Sequence, residues 1–594
     1  MLKFIYPFLF VIFISCGDQK PKNEVTEIEK PTISAFETFK IEFIEALWKA
    51  NPVWASYEGF HKYDSVLTIP NETNRKANLQ FSEDWLSRLN SFEIDSLESL
   101  DLIDYRLIEN YLKSIPFYQN ELKAWQWNPS DYNLGGAFFQ VINFKENKLE
   151  DRLKAISFKL DGVKAYYQAA QANINNPTRV HTELAISQLE GSKSIFSETL
   201  LDSLKKAKLA TDFSTDFLGK LEAAIAAIDQ YKTFLQAEIL PDLAENDQRF
   251  RIGKELFEKK FQYEIQSGFS AEEIFKIAVS EKEILHDRMY QLAGMLWEKY
   301  FGEQEPPGNT LGKIKMVIDE VSKNHVQRDS FVVAIKNQIP ALEKFVIEKD
   351  LITLDPSKPL IVRETPKYMR GVAGASISAP GPYDKAAETF YNVTPLDDYT
   401  DEEAESYLRE YNNYTLQILN IHEAIPGHYT QLIYSNESPS IIKSILGNGA
   451  MVEGWAVYTE KMMLENEYGE DMELGLMYYK WNLRTVCNTI LDYGVHVLNY
   501  SEEDAMQLLQ KEAFQEVSEA KGKWKRARLS QVQLCSYFTG YHEIRTLRDE
   551  LQELKGENFN LKSFHETFLS YGSAPVKHIR HLMLDQAKNH KPVS

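Results

Sequence analysis

Two histidines six residues apart, with a glutamate directly after the first, are the residues of this chain best suited to metal chemistry. They are His422, Glu423 and His428. Histidine nitrogens are common zinc ligands, and a glutamate beside a ligand histidine can act as general base toward water on the metal. In the usual HExxH pattern the histidines stand four residues apart on one helix face. The pattern therefore indicates a zinc hydrolase with an unusual ligand spacing.

The longer spacing requires the helix to be interrupted between the two histidines. At about 100° per residue, six steps would turn His428 roughly 120° away from His422 on a regular helix. Pro426 has no backbone N–H and so cannot donate to the carbonyl of His422. We therefore predict a bulge or break at Pro426 and Gly427 that returns His428 toward the metal. The alternative is that the two histidines are unrelated residues near a helix end.

A third ligand is expected from the segment EGWAVYTE, which begins 25 residues after His428. A catalytic zinc site has three protein ligands and an open position for water. Glu453 can supply the third ligand, and Glu460, two turns further on, can orient a ligand histidine through its second ring nitrogen. The reverse assignment stays open, because both carboxylates lie on the same helix face. Gly454 and Ala456 are small enough for this helix to pack closely beside the histidine helix.

Helices must position these residues, because most of the chain has helical periodicity. From about residue 32 to 349, apolar residues recur at steps of three and four with charges between them. The same steps continue from Tyr407 to Ile425, which predicts one helix that delivers the chain to the first histidine. Thr400 and Glu403 form a capping-box pattern before it.

Between residues 356 and 395 the pattern changes to short β-branched and aromatic runs bounded by Pro and Gly. The runs are PLIVRETP, VAGASISAPG and ETFYNVTP. They predict a few strands in a small sheet beside the histidine helix, within a mainly α fold. We expect FYNV to be an edge strand whose free backbone groups pair with an extended substrate. The alternative is an edge strand without that function.

The charge of the chain excludes one class of partner. Its 594 residues contain 66 Lys and Arg against 87 Asp and Glu, a net charge of −21. Such an excess repels phosphate backbones, so we expect no nucleic-acid binding. Five basic residues nevertheless lie close together: Lys521, Lys523, Lys525, Arg526 and Arg528. They are interpreted as a solvated helix face, with contact to the C-terminus of a peptide substrate as the alternative.

The beginning of the chain is typical of a bacterial lipoprotein precursor. Lys3 precedes an apolar run that is too short to span a bilayer and that ends before Ser15 and Cys16. We predict a signal peptide over residues 1–15 and a lipid on Cys16 as the sole membrane attachment. The alternative is an ordinary signal peptide with an incidental cysteine. The predicted location is the cell envelope.

The rest of the chain is predicted to form a tether and one large unit. Residues 16–31 are polar and read as a flexible tether. Residues 32–594 form a single catalytic unit, with a helical scaffold over 32–350 and the zinc site over 351–594. Cys487 and Cys535 are expected to be buried thiols, although one bridge between them is possible.

Three separated segments carry a resemblance to a known family: HEAIPGHYTQ, EGWAVYTE and FHETFLSYGSAPVKHIR. In this order they resemble the bacterial family of domain of unknown function 885. The resemblance covers the whole chain after the predicted signal peptide. It implies a large, mainly α-helical, zincin-like metallopeptidase fold, similar in ligand order to thimet oligopeptidase and angiotensin-converting enzyme. Those proteins use HExxH, so the two extra residues here are a departure from their ligand spacing.

A peptidase of this type also needs a donor for the developing oxyanion, usually Tyr, His or Arg. The C-terminal quarter offers five candidates: Tyr537, Tyr541, Tyr571, His578 and Arg580. The alternative for each is core packing or a place on a surface helix. The predicted catalytic residues are Glu423, Tyr537, Tyr571 and Arg580.

The sequence thus predicts a zinc-dependent peptidase that cleaves peptides in the cell envelope. Its predicted metal ligands are His422, His428 and Glu453, supported by Glu460, and zinc is the expected cofactor. One alternative is a non-catalytic lipoprotein that binds peptides. The other is a zinc hydrolase of a different amide or ester bond.

Overall fold

The computed structural model describes residues 34–365, 374–379, 381–383, 388–438, 440–469 and 471–589. The predicted signal peptide, the predicted lipid attachment at Cys16 and the predicted tether lie outside these residues, as do Pro366 of PLIVRETP and part of VAGASISAPG. The described part of the chain is mainly helical, which confirms the predicted fold class at that level. No helix in it is both long and apolar enough to cross a bilayer.

Fifteen α-helices precede the sheet, as the periodicity predicted. They are α1 Ala35–Ala50, α2 Pro52–Tyr57, α3 Glu72–Leu89, α4 Ser99–Pro116, α5 Ala124–Trp127, α6 Gly135–Asn143, α7 Leu149–Leu160, α8 Val163–Asn173, α9 Arg179–Ser194, α10 Leu201–Lys206, α11 Thr211–Phe234, α12 Gly253–Glu264, α13 Ala271–Phe301, α14 Thr310–Val321 and α15 Phe331–Glu348. π-Helical turns extend three of these helices, at Phe117–Leu122, Ile195–Leu200 and Leu235–Ile239.

A three-stranded sheet follows, built from β1 Leu360–Glu364, β2 Ala375–Ser378 and β3 Thr389–Val393. The strand order is β1-β3-β2, with β1 parallel and β2 antiparallel to β3. The prediction that FYNV forms an edge strand is therefore wrong. Residues 390–393 belong to the central strand, whose backbone groups are paired on both sides, so they cannot accept an extended substrate.

Eleven helices follow the sheet and contain the predicted site. They are α16 Asp401–Glu410, α17 Asn413–Glu423, α18 His428–Asn436, α19 Ile441–Ile445, α20 Gly449–Glu465, α21 Met472–His496, α22 Glu502–Met506, α23 Val517–Leu529, α24 Ser536–Lys555, α25 Leu561–Ser570 and α26 Val576–Asn589.

The apolar stripe from Tyr407 to Ile425 lies on two helices rather than on the single helix that we predicted. The chain leaves α16 at Tyr411, and the side chain of Asn412 then caps α17 by accepting from the backbone N–H groups of Tyr414 and Thr415. A capping Asn satisfies helix N–H groups that have no partner within the helix, which makes a new start favourable here. The capping box of Thr400 and Glu403 is present as predicted.

Two hydrophobic cores hold the helices together. One core lies entirely within residues 132–235, and the other joins residues 36–112 to residues 250–583. The second core therefore runs across residue 350, where we predicted the scaffold to meet the zinc-site part. Cys487 and Cys535 are buried and free, so the thiol prediction is confirmed.

Candidate metal centre

The two histidines stand on either side of a helix break. Helix α17 ends at Glu423 and α18 begins at His428, which confirms the predicted interruption. The backbone N–H of Gly427 donates to the carbonyl of Ile421 at 3.0 Å. A Cβ atom at Gly427 would lie only 1.9 Å from the carbonyl oxygen of His422. The turn that returns His428 toward His422 therefore needs glycine at this position.

Helix α20 packs against this turn through Trp455 and carries Glu453 and Glu460. The indole Nε1–H of Trp455 donates to the carbonyl of Pro426 at 2.9 Å. Gly454 makes its closest approach to Gly540 of α24, where an added Cβ would lie 2.3 Å from the Gly540 carbonyl carbon. Gly454 therefore allows the close crossing of α20 and α24, whereas we had predicted that it would allow close packing against the histidine helix. Trp455 is buried, and its hydrogen bond to Pro426 holds α20 against the turn between α17 and α18.

Three side chains converge at the break. The Nε2 atoms of His422 and His428 lie 3.7 and 3.4 Å from Oε2 of Glu453. One ligand atom from each residue lies within 4.8 Å of the others. A tetrahedral zinc ion with bonds of about 2.05 Å holds its ligand atoms roughly 3.4 Å apart, whereas a strong hydrogen bond would be near 2.8 Å. The spacing thus fits a metal ion better than a hydrogen-bonded triad.

The surroundings of the three side chains also suit a catalytic site. His422 is buried, whereas His428 and Glu453 are partly exposed, so the cluster has a side open to solvent. The ring planes of the two histidines are nearly perpendicular, at 85°. An open side is what a catalytic zinc site needs, because water and substrate must reach the metal.

Glu460 lies on the opposite side of the His422 ring. Its Oε1 atom is 2.7 Å from Nδ1 of His422 and accepts from Nε1–H of Trp481 at 2.9 Å. Glu460 is fully buried and is not in the group of converging ligand atoms. The geometry therefore brings Glu453 to the ligand position and Glu460 to the supporting one. In metal sites, such a carboxylate fixes the orientation and the tautomer of the ligand histidine.

The carboxylates make His422 strongly basic. Burial alone would lower the pKa of His422, but Glu453 and Glu460 together raise this pKa to about 10. The pKa of Glu453 is well below its usual range because the two histidines outweigh the effect of burial. Burial raises the pKa of Glu460, against the opposing effects of His422 and Trp481. This concentration of negative charge around two imidazoles favours a bound cation.

The carboxylate of Glu423 differs from its neighbours in having no fixed partner. Within the described residues, no hydrogen bond or ion pair holds it, and the side chain is partly exposed. It is close enough to His422 to contribute to the raised pKa of that histidine. A free carboxylate next to a metal ligand can accept a proton from water and release it again.

Tyr537 is the oxyanion-donor candidate whose pKa is affected by the candidate metal cluster, the group of His422, His428 and Glu453. The carboxylate of Glu453 adds to the effect of burial in raising the pKa of Tyr537, while Arg526 opposes both. The Arg526 guanidinium donates to the Tyr537 hydroxyl oxygen at 3.1 Å. Because that oxygen already accepts a bond, its own proton is available for another acceptor.

Other candidates are engaged elsewhere in the fold. The Tyr571 hydroxyl accepts from Gln586 at 3.0 Å, and the Arg580 guanidinium donates to Glu550 at 2.7 Å. Tyr541 accepts from Arg545 at 3.4 Å. For His578, burial and Lys577 lower the pKa to about 4. None of these contacts includes His422, His428 or Glu453, so of the five candidates Tyr537 is the one whose pKa a residue of this group affects.

Sequence reasoning missed two tryptophans that hold the site together. Trp481 fixes Glu460, and Trp455 fixes the turn. Trp455 lies inside the EGWAVYTE segment and could have been noticed there, whereas Trp481 on α21 carries no local signal. The basic residues of α23 are solvated only in part, because Lys521, Lys525 and Arg526 are exposed but Lys523 is buried.

Comparisons with known proteins agree with this fold. The profile of a family described as "Bacterial protein of unknown function (DUF885)" matches residues 52–583. No protein of curated function matches the chain. A solved structure from Shewanella oneidensis, described as "a putative lipoprotein of unknown function", is 50% identical, with a TM-score of 0.86. The match covers 93% of this chain and 100% of that one.

A second solved structure is similar in fold alone. It is described as "the putative lipoprotein from Colwellia psychrerythraea" and is 16% identical, with a TM-score of 0.75. The match covers 93% of this chain and 99% of that chain. The overall fold therefore persists where most residues differ.

Proposed function

The chain belongs to the DUF885 family of bacterial proteins, and we propose that it is a zinc-dependent peptidase that cleaves peptides in the cell envelope. The observation that carries this proposal is the convergence of His422 and His428 on Glu453, with an unpaired Glu423 beside them. Two histidines and a glutamate from a following helix are a ligand set of zinc hydrolases.

His422, His428 and Glu453 would hold the zinc ion, and their partly exposed side would leave room for water and substrate. A zinc ion bound there acidifies water and polarises a carbonyl group. Glu460 orients His422 through its Nδ1 atom, so that Nε2 points to the metal position. A site meant only for structure would be closed and would have no use for a free glutamate.

Two side chains of the chain itself would move or donate protons. The carboxylate of Glu423 takes a proton from the attacking water and passes it to the nitrogen of the leaving amine. The hydroxyl of Tyr537 donates to the oxyanion that forms on the substrate carbonyl. Burial and Glu453 raise the pKa of Tyr537, which keeps that hydroxyl protonated at neutral pH.

The proposed location is supported by the lipoprotein-like first residues and by the descriptions of two similar structures. Both solved structures are described as putative lipoproteins, which supports a lipid on Cys16 and a site that faces the envelope. We expect no nucleic-acid partner and no membrane contact apart from this lipid.

A peptide library incubated with the zinc-loaded protein, with and without a chelator, tests the proposal. We expect cleavage that the chelator abolishes and added zinc restores. Cleavage of other amides or esters, with peptides left intact, would replace the proposal by a different zinc hydrolase. Peptide binding without any cleavage, at a closed four-ligand zinc site, would favour the non-catalytic lipoprotein.

A further inference from the structure

Lys523 is a buried lysine with no partner. Its exposed fraction is 5%, and within the described residues no hydrogen bond or ion pair holds its ammonium group. Lysine is rarely buried unless it is paired. The amino group of Lys523 is therefore suited to bind an anion.

The neighbouring carboxylates are already occupied. Arg484 pairs with Glu519 at 2.6 Å and also reaches the hydroxyl of Tyr411 at 3.3 Å. Lys480 pairs with Glu410 at 2.7 Å. Each of these two carboxylates thus has its own cation. Neither Glu519 nor Glu410 therefore has an uncompensated negative charge that could pair with Lys523.

Arg526, one helical turn beyond Lys523, also has no carboxylate partner among the described residues. Its guanidinium donates to the side-chain oxygen of Gln533 at 2.6 Å and to the hydroxyl of Tyr537 at 3.1 Å. Both acceptors are neutral. Helix α23 therefore carries two basic side chains, Lys523 and Arg526, that have no carboxylate partner among the described residues, within a chain whose net charge is −21.

This positive face lies beside the metal cluster. The guanidinium of Arg484 stacks on Trp481 at 4.9 Å, and the Trp481 ring lies 6.4 Å from that of His422. Glu453 is adjacent to Gly454, which closely approaches Gly540 of α24, and Tyr537 lies one turn before Gly540 on that helix. Arg526 contacts the Tyr537 hydroxyl, and Lys523 lies one turn before Arg526 on α23, so both residues belong to the region around the three converging side chains.

We propose that Lys523 and Arg526 bind a carboxylate of the substrate, namely the C-terminal carboxylate of a short peptide, beside the metal centre. This inference rests on the proposed peptidase function and gives its substrate class. A carboxylate would accept charge-assisted hydrogen bonds from the ammonium group of Lys523 and from the exposed guanidinium of Arg526. Elsewhere the acidic chain repels anions, so this face would direct the peptide C-terminus to the site. The enzyme would then remove residues from the C-terminal end.

The pKa of Lys523 is consistent with this use. Burial lowers it well below its ordinary value, and Arg484 and Arg526 lower it further, while Glu519 and Glu453 oppose them. A bound carboxylate would stabilise the charged form of the amine.

Matched peptides separate the possible sources of the carboxylate. We would use one peptide sequence with a free C-terminus, the same peptide as a C-terminal amide, and the amide with glutamate as last residue. The wild-type protein should cleave the free acid with a kcat/KM at least about tenfold above that of the amide, the lower range for a charge-assisted bond. Equal preference for the glutamate amide would assign the face to acidic side chains and overturn the C-terminal assignment.

Substitutions on α23 test the residues themselves. In Lys523→Met the ratio of kcat/KM for the free acid to kcat/KM for the amide should fall toward one. In Lys523→Arg most of the preference for the free acid should return. Lys521→Met changes an exposed lysine of the same helix and should leave the ratio as in the wild type. Arg526→Gln, at an exposed position, gives a second reduction in the ratio if Lys523→Met does not fold.

Failure of this inference can be told from failure of the peptidase proposal. Equal cleavage of free acid and amide by the wild type overturns the carboxylate site and leaves the peptidase intact. If no peptide is cleaved, the affinities of the fluorescently labelled peptides show whether the carboxylate site exists. Tighter binding of the free acid, lost in Lys523→Met, retains the carboxylate site without the peptidase, and equal binding overturns it.

Discussion

The Nδ1 atom of His422 lies 2.7 Å from Oε1 of Glu460, a fully buried glutamate 38 residues further along the chain. This contact turns the other ring nitrogen toward His428 and Glu453. It also links the metal cluster to α21, because Trp481 donates to the same carboxylate oxygen.

Replacing Glu460 with Gln should weaken zinc binding by about 10- to 100-fold, because the amide holds the His422 ring less firmly than the carboxylate does. Competition with a zinc chelator of known affinity measures the change. Glu465→Gln is the control, since Glu465 lies on the same helix but pairs with Arg548 near the surface. Unchanged zinc affinity in Glu460→Gln would remove its supporting role.

Substitutions of the adjacent residues His422 and Glu423 should separate metal binding from chemistry. We expect His422→Ala to lose the bound zinc, because one of three ligands is removed. We expect Glu423→Gln to retain about one zinc per chain and to lose peptide hydrolysis, by a factor of about 100 or more, because the proton acceptor is gone. Metal analysis and kcat measurements on the same preparations give both results. Full activity in Glu423→Gln would contradict its role as general base.

Tyr537→Phe should lower kcat by about 100-fold with little change in KM and in zinc content, since an oxyanion donor acts mainly in the transition state. Tyr571→Phe tests the competing candidate, whose hydroxyl meets Gln586. A larger loss in Tyr571→Phe than in Tyr537→Phe would reverse our choice between them.

Gly427→Ala should destabilise the turn between α17 and α18, because the new Cβ would clash with the carbonyl of His422. Relief of the clash must move the backbone that carries the ligand, at a cost of about 1–3 kcal/mol. We expect a lower melting temperature and weaker zinc binding. Gly522→Ala is the matched control, since a Cβ at that helical position meets no atom within 4 Å. A Gly427→Ala protein with unchanged zinc affinity would show that the turn tolerates a side chain.

His565 should make the fold sensitive to mild acid. Burial lowers its pKa from 6.5 to about 4, and the neutral ring bonds both Tyr458 and the carbonyl of Leu351. The folded state therefore binds this proton less readily than the unfolded state. The resulting stability is complete above about pH 6.5 and is lost as the pH falls toward 4, by about 3 kcal/mol.

The His565→Gln variant isolates that contribution. Its unfolding free energy should be lower than that of the wild type at pH 7, and the difference should shrink by about 3 kcal/mol between pH 6.5 and 4. Denaturant unfolding at several pH values measures it. His581→Gln, at an exposed histidine of α26, should show no such change. A difference that stays constant with pH in His565→Gln would mean that the ring does not stay neutral in the fold.

Much of the fold depends on residues that are close together in the chain, so it could be predicted from the sequence. The helical class, the three strands and the capping box follow from periodicity, from Pro and Gly positions and from short-range hydrogen bonds. The break between His422 and His428 was also predictable, because Pro426 cannot continue the helix and Gly427 tolerates close backbone contact. The single-helix prediction failed because the Asn412 cap competes locally with a continuous apolar stripe.

Only the tertiary structure decided which side chains meet. Glu453 and Glu460 share one helix face in the sequence, and their different places arise from how α20 packs, at the Gly454–Gly540 crossing and under Trp455. The same holds for Tyr537, which lies one turn from the Gly454–Gly540 crossing, and for Lys523, which is buried although Lys521 and Lys525 are exposed. Such choices depend on contacts between residues far apart in the chain. Local residue patterns do not encode the distance between them.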